Sequence, residues 1–587
     1  MKNVKNKIVS AGMLAVLSVS TIGCGTASNE KQPVAETQTI EMEDTINKKI
    51  VDNNTLYAND DDTSVVTMYL TVSKGNESEN TNHTWEEVNS YSVYDYEEMG
   101  VERYGVEGLL QVGDQDGPTS GSLGYGINVP NATVTIRGQS SSENTQKNYK
   151  INIKDGKGEW NNQRVINLNK HQTDGVRFRN KLCYDLMERI DGMISMQTQF
   201  VHLYVKDTTE GNGTKFVDYG LYTQVEQPNK SFLERHGLDK NGQLYKLNFF
   251  EFNEYSDVIK LRNDADYDKE AFEELLEIKG DNDHSKLIDM LKDLNDYSIR
   301  IEDVINTWFE EDNLLSWLAF HILTGNDDTQ SRNAMIYSPK NINTWYFISW
   351  DCDASFRAKE REILLKDQQA GWESGVSNYW GNTLFNRLLK SSAYREKLDK
   401  KIEEYKEVLS KETIQSLVDS YSEVTKEYAY KGADITYAPL TKTQYDQVCN
   451  AIPNEVEKNY ELYKESMENP MPFFIGTPAA ENGKTKFVWE NSYDFAAQDL
   501  HYSIEVADNL EFKDPVIKEE NLFTPEYTYS KTLKQGQYFV RVKVRNESGK
   551  EQTAFDYYVI KDSIKIYGVK CIYVNADGSI VEDVYGN

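Results

Sequence analysis

Apolar positions along this chain repeat at two periods, and the change of period divides it. Val65-Val66-Thr67-Met68-Tyr69-Leu70-Thr71-Val72 is β-branched and aromatic, which predicts a strand. Ala132-Thr133-Val134-Thr135-Ile136 and Tyr149-Lys150-Ile151-Asn152-Ile153 alternate at period two and predict two more. Between them lies Arg137-Gly138-Gln139-Ser140-Ser141-Ser142, a turn dense in donors. A Gly-rich stretch, Gly113 to Gly126, reads as a loop, either over a ligand or at the surface. Residues 178–191 read as a helix ending at Asp191-Gly192, and 199–206 with 219–226 as a strand pair around the turn at 211–214.

From about 265 to 325 the period becomes helical. The last helix there, Asn313 to Leu323, is apolar on most faces and is expected to be buried, with Gly325 as its C-terminal cap. Trp345 to Trp350 predicts a strongly buried strand, and 383–468 returns to amphipathic helix. Pro470 and Pro472 mark a boundary. Beyond them about seven short strands predict a small β-sandwich over 473–565, similar to fibronectin type III or immunoglobulin-like modules, and then a tail over 566–587.

The N-terminus sets the compartment. Lys2, Lys5 and Lys7 precede an apolar run ending Thr21-Ile22-Gly23-Cys24. Basic, then apolar, then small is a secretory signal. Its end resembles a bacterial lipobox, so 1–23 reads as a leader and Cys24 as the lipidated residue of a protein on the extracytoplasmic face of the cell membrane. Residues 24–62 read as a polar tether. Lys and Arg number 64 against 95 Asp and Glu, a net charge of −31, which argues against a nucleic-acid partner. Cys183, Cys352, Cys449 and Cys571 are far apart and read as lone or buried thiols.

Candidate chemistry sits after the buried helix. Asp328 and Asn333 are separated by four residues, the spacing of a protein-kinase catalytic loop, in which the Asp takes the hydroxyl proton and the Asn ligates a metal. Asp327 is adjacent, but the Asn333 spacing favours Asp328. Asp351 lies eighteen residues past Asn333, and strand alternation would put Asp351 and Asp353 on one face, with Trp350 and Cys352 in the core. Such a pair suits a hard cation completed by phosphate oxygens. Lys147 or Lys150 is the expected phosphate cation, with Glu226 its partner and Lys246 a second candidate. No P-loop, H-E-x-x-H or G-x-S-x-G occurs. Asp264-Ala265-Asp266-Tyr267-Asp268 lacks the glycine and glutamate of a Ca²⁺ loop.

Several segments together resemble the CotH kinases, a family named for a spore-coat protein. They are Thr135 to Ser141 with Lys147-Asn148-Tyr149-Lys150, Arg177-Phe178-Arg179-Asn180, Tyr219 to Gln227, Gln243 to Lys246, Gly325 through Asn333 to Tyr337, and Phe347 to Asp353. The resemblance covers about 65–460. It implies an α+β, atypical protein-kinase-like fold over 63–468, with a β-rich N-lobe and a helical C-lobe, transferring phosphate from ATP to Ser/Thr of proteins with Mg²⁺ or Mn²⁺. It makes Asp328 the catalytic residue and Asn333 and Asp351 metal ligands, with Asp353 alongside. Arg137, Lys147, Lys150, Glu226 and Lys246 form the expected nucleotide set, and Lys147 matches the family's motif lysine better than Lys150. Two other readings stand beside it: an inert kinase-fold surface binding or adhesion protein, and a glycoside hydrolase using Asp351 and Asp353.

Overall fold

The computed structural model describes residues 48–58, 60–211, 213–364, 369–560 and 564–583. The expected leader, Cys24 and the expected tether up to residue 47 lie outside the described residues. The described chain is a mixed α/β protein. Eight strands make the first sheet: β1 Val65–Ser73, β2 Gly105–Asp114, β3 Gly117–Pro118, β4 Ala132–Arg137, β5 Asn148–Ile153, β6 Val165–Asn169, β7 Thr198–Asp207 and β8 Val217–Val225. Their order is β1-β7-β8-β6-β5-β4-β2-β3, and β1 also pairs with β2, so the sheet closes on itself. Closure removes the open edges and gives the alternating apolar residues one interior, including Leu70, Leu110, Val134, Ile151 and Leu203. The same alternation turns Thr135, Arg137 and Lys150 outward, and the register sets Lys150 opposite Thr135.

A second, antiparallel sheet is built from β9 Gln243–Leu247, β10 Leu276–Ile278, β11 Ala334–Ser338 and β12 Tyr346–Ser349, in the order β10-β9-β11-β12. It packs against the helix Glu311–Thr324, in which every residue from Asn313 to Thr324 is buried. Gly325 ends that helix at φ 65°, a left-handed cap that glycine adopts without penalty. Five further helices fall between Thr383 and Glu468. The Gly-rich stretch contributes the end of β2 and β3, and none of its residues lines the main cavity. No helix among the described residues is long and apolar enough to cross a membrane.

Among the described residues, eight strands of the C-terminal module fall between 473 and 563, where about seven are expected, and three more follow from Ile564. Its three-stranded and six-stranded sheets bury a shared cluster that includes Phe487, Ile504, Val542 and Ile572. The expected tail is corrected: Val569–Val574 pairs with Gly536–Arg541 inside the larger sheet, because its alternate apolar residues complete that core. The tether is corrected at its end as well. Ile50 is buried in the main core, and the Asp52 carboxylate meets the buried His236 ring at 2.6 Å. Cys183, Cys352, Cys449 and Cys571 are free and buried.

Candidate active site

The β11–β12 hairpin explains how residues eighteen positions apart meet. Ala334, which opens β11, pairs with Ser349, which closes β12. Asn333 and Trp350 are therefore neighbours, and the Trp350 N–H donates to the Asn333 carbonyl at 3.2 Å. Asn333 and Asp351 both adopt left-handed backbone, each at φ 53°. The expected strand alternation of Asp351 and Asp353 is corrected, because β12 ends at Ser349 and both carboxylates stand on the loop beyond it. They still line one cavity with Asp328 and Asn333.

The helix Arg179–Met187 holds that loop. The Asn180 side-chain carbonyl accepts from the Cys352 N–H at 3.0 Å, and the Tyr184 hydroxyl accepts from the Asp351 N–H at 3.0 Å. The Arg179 Nε donates to the Phe356 carbonyl at 3.0 Å. Asp328 is held from both sides. Arg332 Nε donates to its Oδ1 at 2.6 Å, and Asn333 Nδ2 donates to its Oδ2 at 2.8 Å. Asp327 turns away and pairs with Arg361 at 2.6 Å, which leaves Asp328 as the cavity carboxylate of the two.

The cavity has a volume of about 540 Å³ and lies between the outer face of β4–β5 and the β9–β12 sheet. Six basic residues line it (Arg103, Arg137, Lys150, Lys246, Lys279 and Arg332) against four acids (Glu277, Asp328, Asp351 and Asp353). A surplus of two positive charges in a chain of net charge −31 marks a place built for an anion. The β9–β10 register puts Lys246 opposite Glu277. Glu277 meets Lys246 at 3.0 Å and Lys279 at 2.5 Å. Burial raises the Glu277 carboxyl, but these two ammonium groups overcome it and hold it at about 2. Lys150 has no such partner. Burial first, then Lys279, Arg137 and Arg103, push its ammonium below its usual range, against Glu277.

Two expected nucleotide residues stand elsewhere. Lys147 precedes β5 and turns back into its own turn, donating to the Ser142 carbonyl at 2.5 Å, so the structure puts Lys150 and not Lys147 on the cavity. Glu226 lies past the end of β8, where it is fully buried and receives Arg235 Nε at 2.9 Å and His236 Nε2 at 2.9 Å. It partners no lysine, because these two cations already satisfy its carboxylate. Arg137 remains on the cavity, bonded to Asn169. Arg103, Lys279, Glu277, His171 and Arg332 are cavity residues that the sequence reading passed over. The alternation Leu276-Glu277-Ile278-Lys279, with charges on one face of a short apolar strand, carried the signal for two of them.

The donor set fits a divalent cation completed by phosphate. Burial first, then Asp353 and Asp328, push the Asp351 carboxyl up to about 7, against His171 and Arg137. Burial first, then Asp174 and Asp328, push Asp353 up to about 6. The Asp353 side chain keeps 39% exposure on the cavity side, so water screens part of that penalty. Crowded hard oxygens are what a divalent ion relieves. Among the described residues no group of three or more His, Cys, Asp or Glu is placed to hold a metal.

A family model described as CotH kinase protein matches residues 134–463, more than half of the chain and all of the cavity walls from β4 onward. The chain belongs to the CotH kinase protein family. A solved structure described as a Helicobacter pylori proinflammatory kinase, CtkA, is similar over 54% of this chain and 94% of that one, at 10% identity and a TM-score of 0.27. No curated protein matches the chain. Membership in the CotH kinase family supports a kinase-type function, and kinases of any type work with ATP and a divalent metal.

Proposed function

We propose that this CotH kinase protein is an atypical protein kinase, anchored through Cys24 outside the cell membrane, that moves the γ-phosphoryl group of ATP to Ser or Thr hydroxyls of a protein. The observation that carries the reading is Lys150: a half-buried ammonium without an ion-pair partner, on a cavity wall, in the field of three other cations and one acid, Glu277. A polyphosphate relieves that repulsion. The cavity's surplus of two charges plus one divalent ion equals the charge of fully ionised ATP. An inert scaffold would be expected to fill this space with side chains, yet about 540 Å³ stays open. A glycosidase sets its carboxylates on opposite sides of a sugar, whereas Asp351 and Asp353 share one loop.

In this reading Asp328 accepts the proton of the acceptor hydroxyl. Asn333 orients Asp328 through its amide N–H, and its side-chain carbonyl joins Asp351 and Asp353 as the residues that would hold Mg²⁺ or Mn²⁺. The ion supplies charge neutralisation at the phosphates. Lys150, Arg137 and the Lys246–Glu277–Lys279 group bind and orient the phosphates. The lip Gly138 to Ser141 borders the cavity beside them. Gly138 stands at φ 93°, and a Cβ there would lie 2.1 Å from the Ser141 Oγ, so the lip needs glycine at this position.

Lys150→Met tests the reading. It is expected to weaken ATP binding about tenfold, the value of one charge-assisted contact, in displacement of a fluorescent ATP analogue. It is also expected to leave the apo protein at least as stable in thermal unfolding, because a half-buried and repelled charge is gone. Unchanged affinity would remove Lys150 from the nucleotide site and with it the reading of the cavity.

A further inference from the structure

Arg332 differs from the other cavity cations in touching the candidate base itself. Two of its nitrogens meet Asp328 Oδ1, Nε at 2.6 Å and Nη2 alongside. Its guanidinium carbon lies 4.8 Å from the centroid of the Phe249 ring. Phe249 is itself unusual. It is 54% exposed on the cavity rim, and its backbone stands at φ 55°, where a bulky aromatic residue is strained. The strain is held from both sides: the Phe250 N–H donates to the Ser331 carbonyl at 2.7 Å, and the Asn248 N–H to the Leu275 carbonyl at 2.9 Å. The first of these bonds ties the Phe249 turn directly to the residue before Arg332. An exposed ring gains little by burial here. What the turn achieves is a platform that fixes the plane of one guanidinium beside the base.

Resting on the phosphotransferase reading, we infer that Arg332 is a catalytic cation for the transferring phosphoryl group, presented by Phe249 as its positioning residue. The acceptor oxygen must lie within hydrogen-bond reach of Asp328. The phosphorus it attacks lies one bond further, and Arg332 already occupies the adjoining corner. As the acceptor oxygen bonds to phosphorus and the bridging oxygen leaves with ADP, negative charge spreads over the equatorial oxygens. The proton of the hydroxyl passes to Asp328. A guanidinium has five donors in a planar fork, enough to serve the carboxylate with one edge and a phosphoryl oxygen with the other. A cation delivered in this way within one chain is an arginine finger supplied in cis.

The test is full-chain Arg332→Gln and Arg332→Lys, with transfer of label from ATP measured beside nucleotide affinity. Arg332→Gln is expected to lower kcat by about 10³-fold and to change the affinity for the ATP analogue less than threefold. Arg332→Lys is expected to recover only part of the loss, and added guanidinium ion to restore measurable rate to Arg332→Gln. Phe249→Leu is expected to lower kcat about tenfold without change in KM, with Phe249→Trp close to wild type. A kcat within threefold of wild type in Arg332→Gln overturns the inference. So does a rise in kcat, which would make the Asp328 pair an inhibitory latch. A wild-type protein that binds ATP but transfers no label overturns the proposed function, and the inference falls with it.

Discussion

Asp351→Asn is expected to lower metal-dependent phosphoryl transfer about 10³-fold, the several kcal/mol that an ion at the phosphates supplies. It is expected at the same time to raise the stability of the metal-free protein by about 1 kcal/mol. The two effects share one cause. The loop after β12 is clamped by Asn180 and Tyr184, so the Asp351 carboxyl cannot retreat from the crowding that pushes it up to about 7. The amide keeps the shape and removes the charge. The pH dependence has a definite sign. An ordinary carboxyl titrates at about 4, so from there to pH 7 the folded state holds a proton that the unfolded chain has lost. Stability from this group grows as pH falls through 7 and is lost above it. Thermal unfolding of the metal-free protein at pH 6 and pH 8 is expected to show that gain in the wild type and a flatter profile in Asp351→Asn. A destabilised variant, or undiminished transfer, contradicts the assignment of Asp351 to the metal.

Arg179→Met is expected to cost about 3–5 kcal/mol, the penalty for stranding buried charges. Arg179 is completely buried. It pairs with Asp174 and meets Glu360 at 2.8 Å, and both carboxylates are themselves almost fully buried. Removing the guanidinium leaves two acids without their cation and frees the Phe356 carbonyl at the far end of the Asp351–Asp353 loop. Chemical denaturation of the full chain gives the loss directly. A change under about 1 kcal/mol would mean that water replaces the arginine, and that this network does not hold the loop.

What the chain reveals before folding depends on how local the cause is. The helix ending at Gly325, the Asp328–Asn333 spacing and the apolar strand before Asp351 are consecutive, so their order alone sets out one wall of the cavity. Alternation along β5 already set Lys150 apart from Tyr149, and the structure bears this out. The motif match had favoured Lys147, which stands in the turn before the strand, where alternation has no hold. Glu226 departs from its expected lysine partner for the same reason: it lies one residue past β8, and tertiary neighbours from the Arg235–His236 segment claim it. Arg103 and Lys279 enter the cavity through strand pairing and loop packing. No spacing in the sequence encodes the place of Arg103, whereas the alternating charges of 276–279 set Glu277 and Lys279 on one face. The strand expected to carry both Asp351 and Asp353 stops at Ser349, because the left-handed Asp351 cannot continue a β ladder. The closure of the first sheet and the docking of Val569–Val574 on Gly536–Arg541 likewise rest on pairings beyond neighbouring segments, whereas Ile580–Glu582 folds back on Val569–Val574 as a local hairpin.

The most direct test of the central claim follows the phosphate. The full chain is incubated with Mg²⁺ and ATP labelled at the γ-phosphate or, in parallel, at the α-phosphate, with an acceptor protein present. Label is expected on Ser or Thr from the γ-position only, abolished by chelation of the metal. Absence of protein-bound label from γ-labelled ATP, in a preparation that binds the nucleotide, would contradict it.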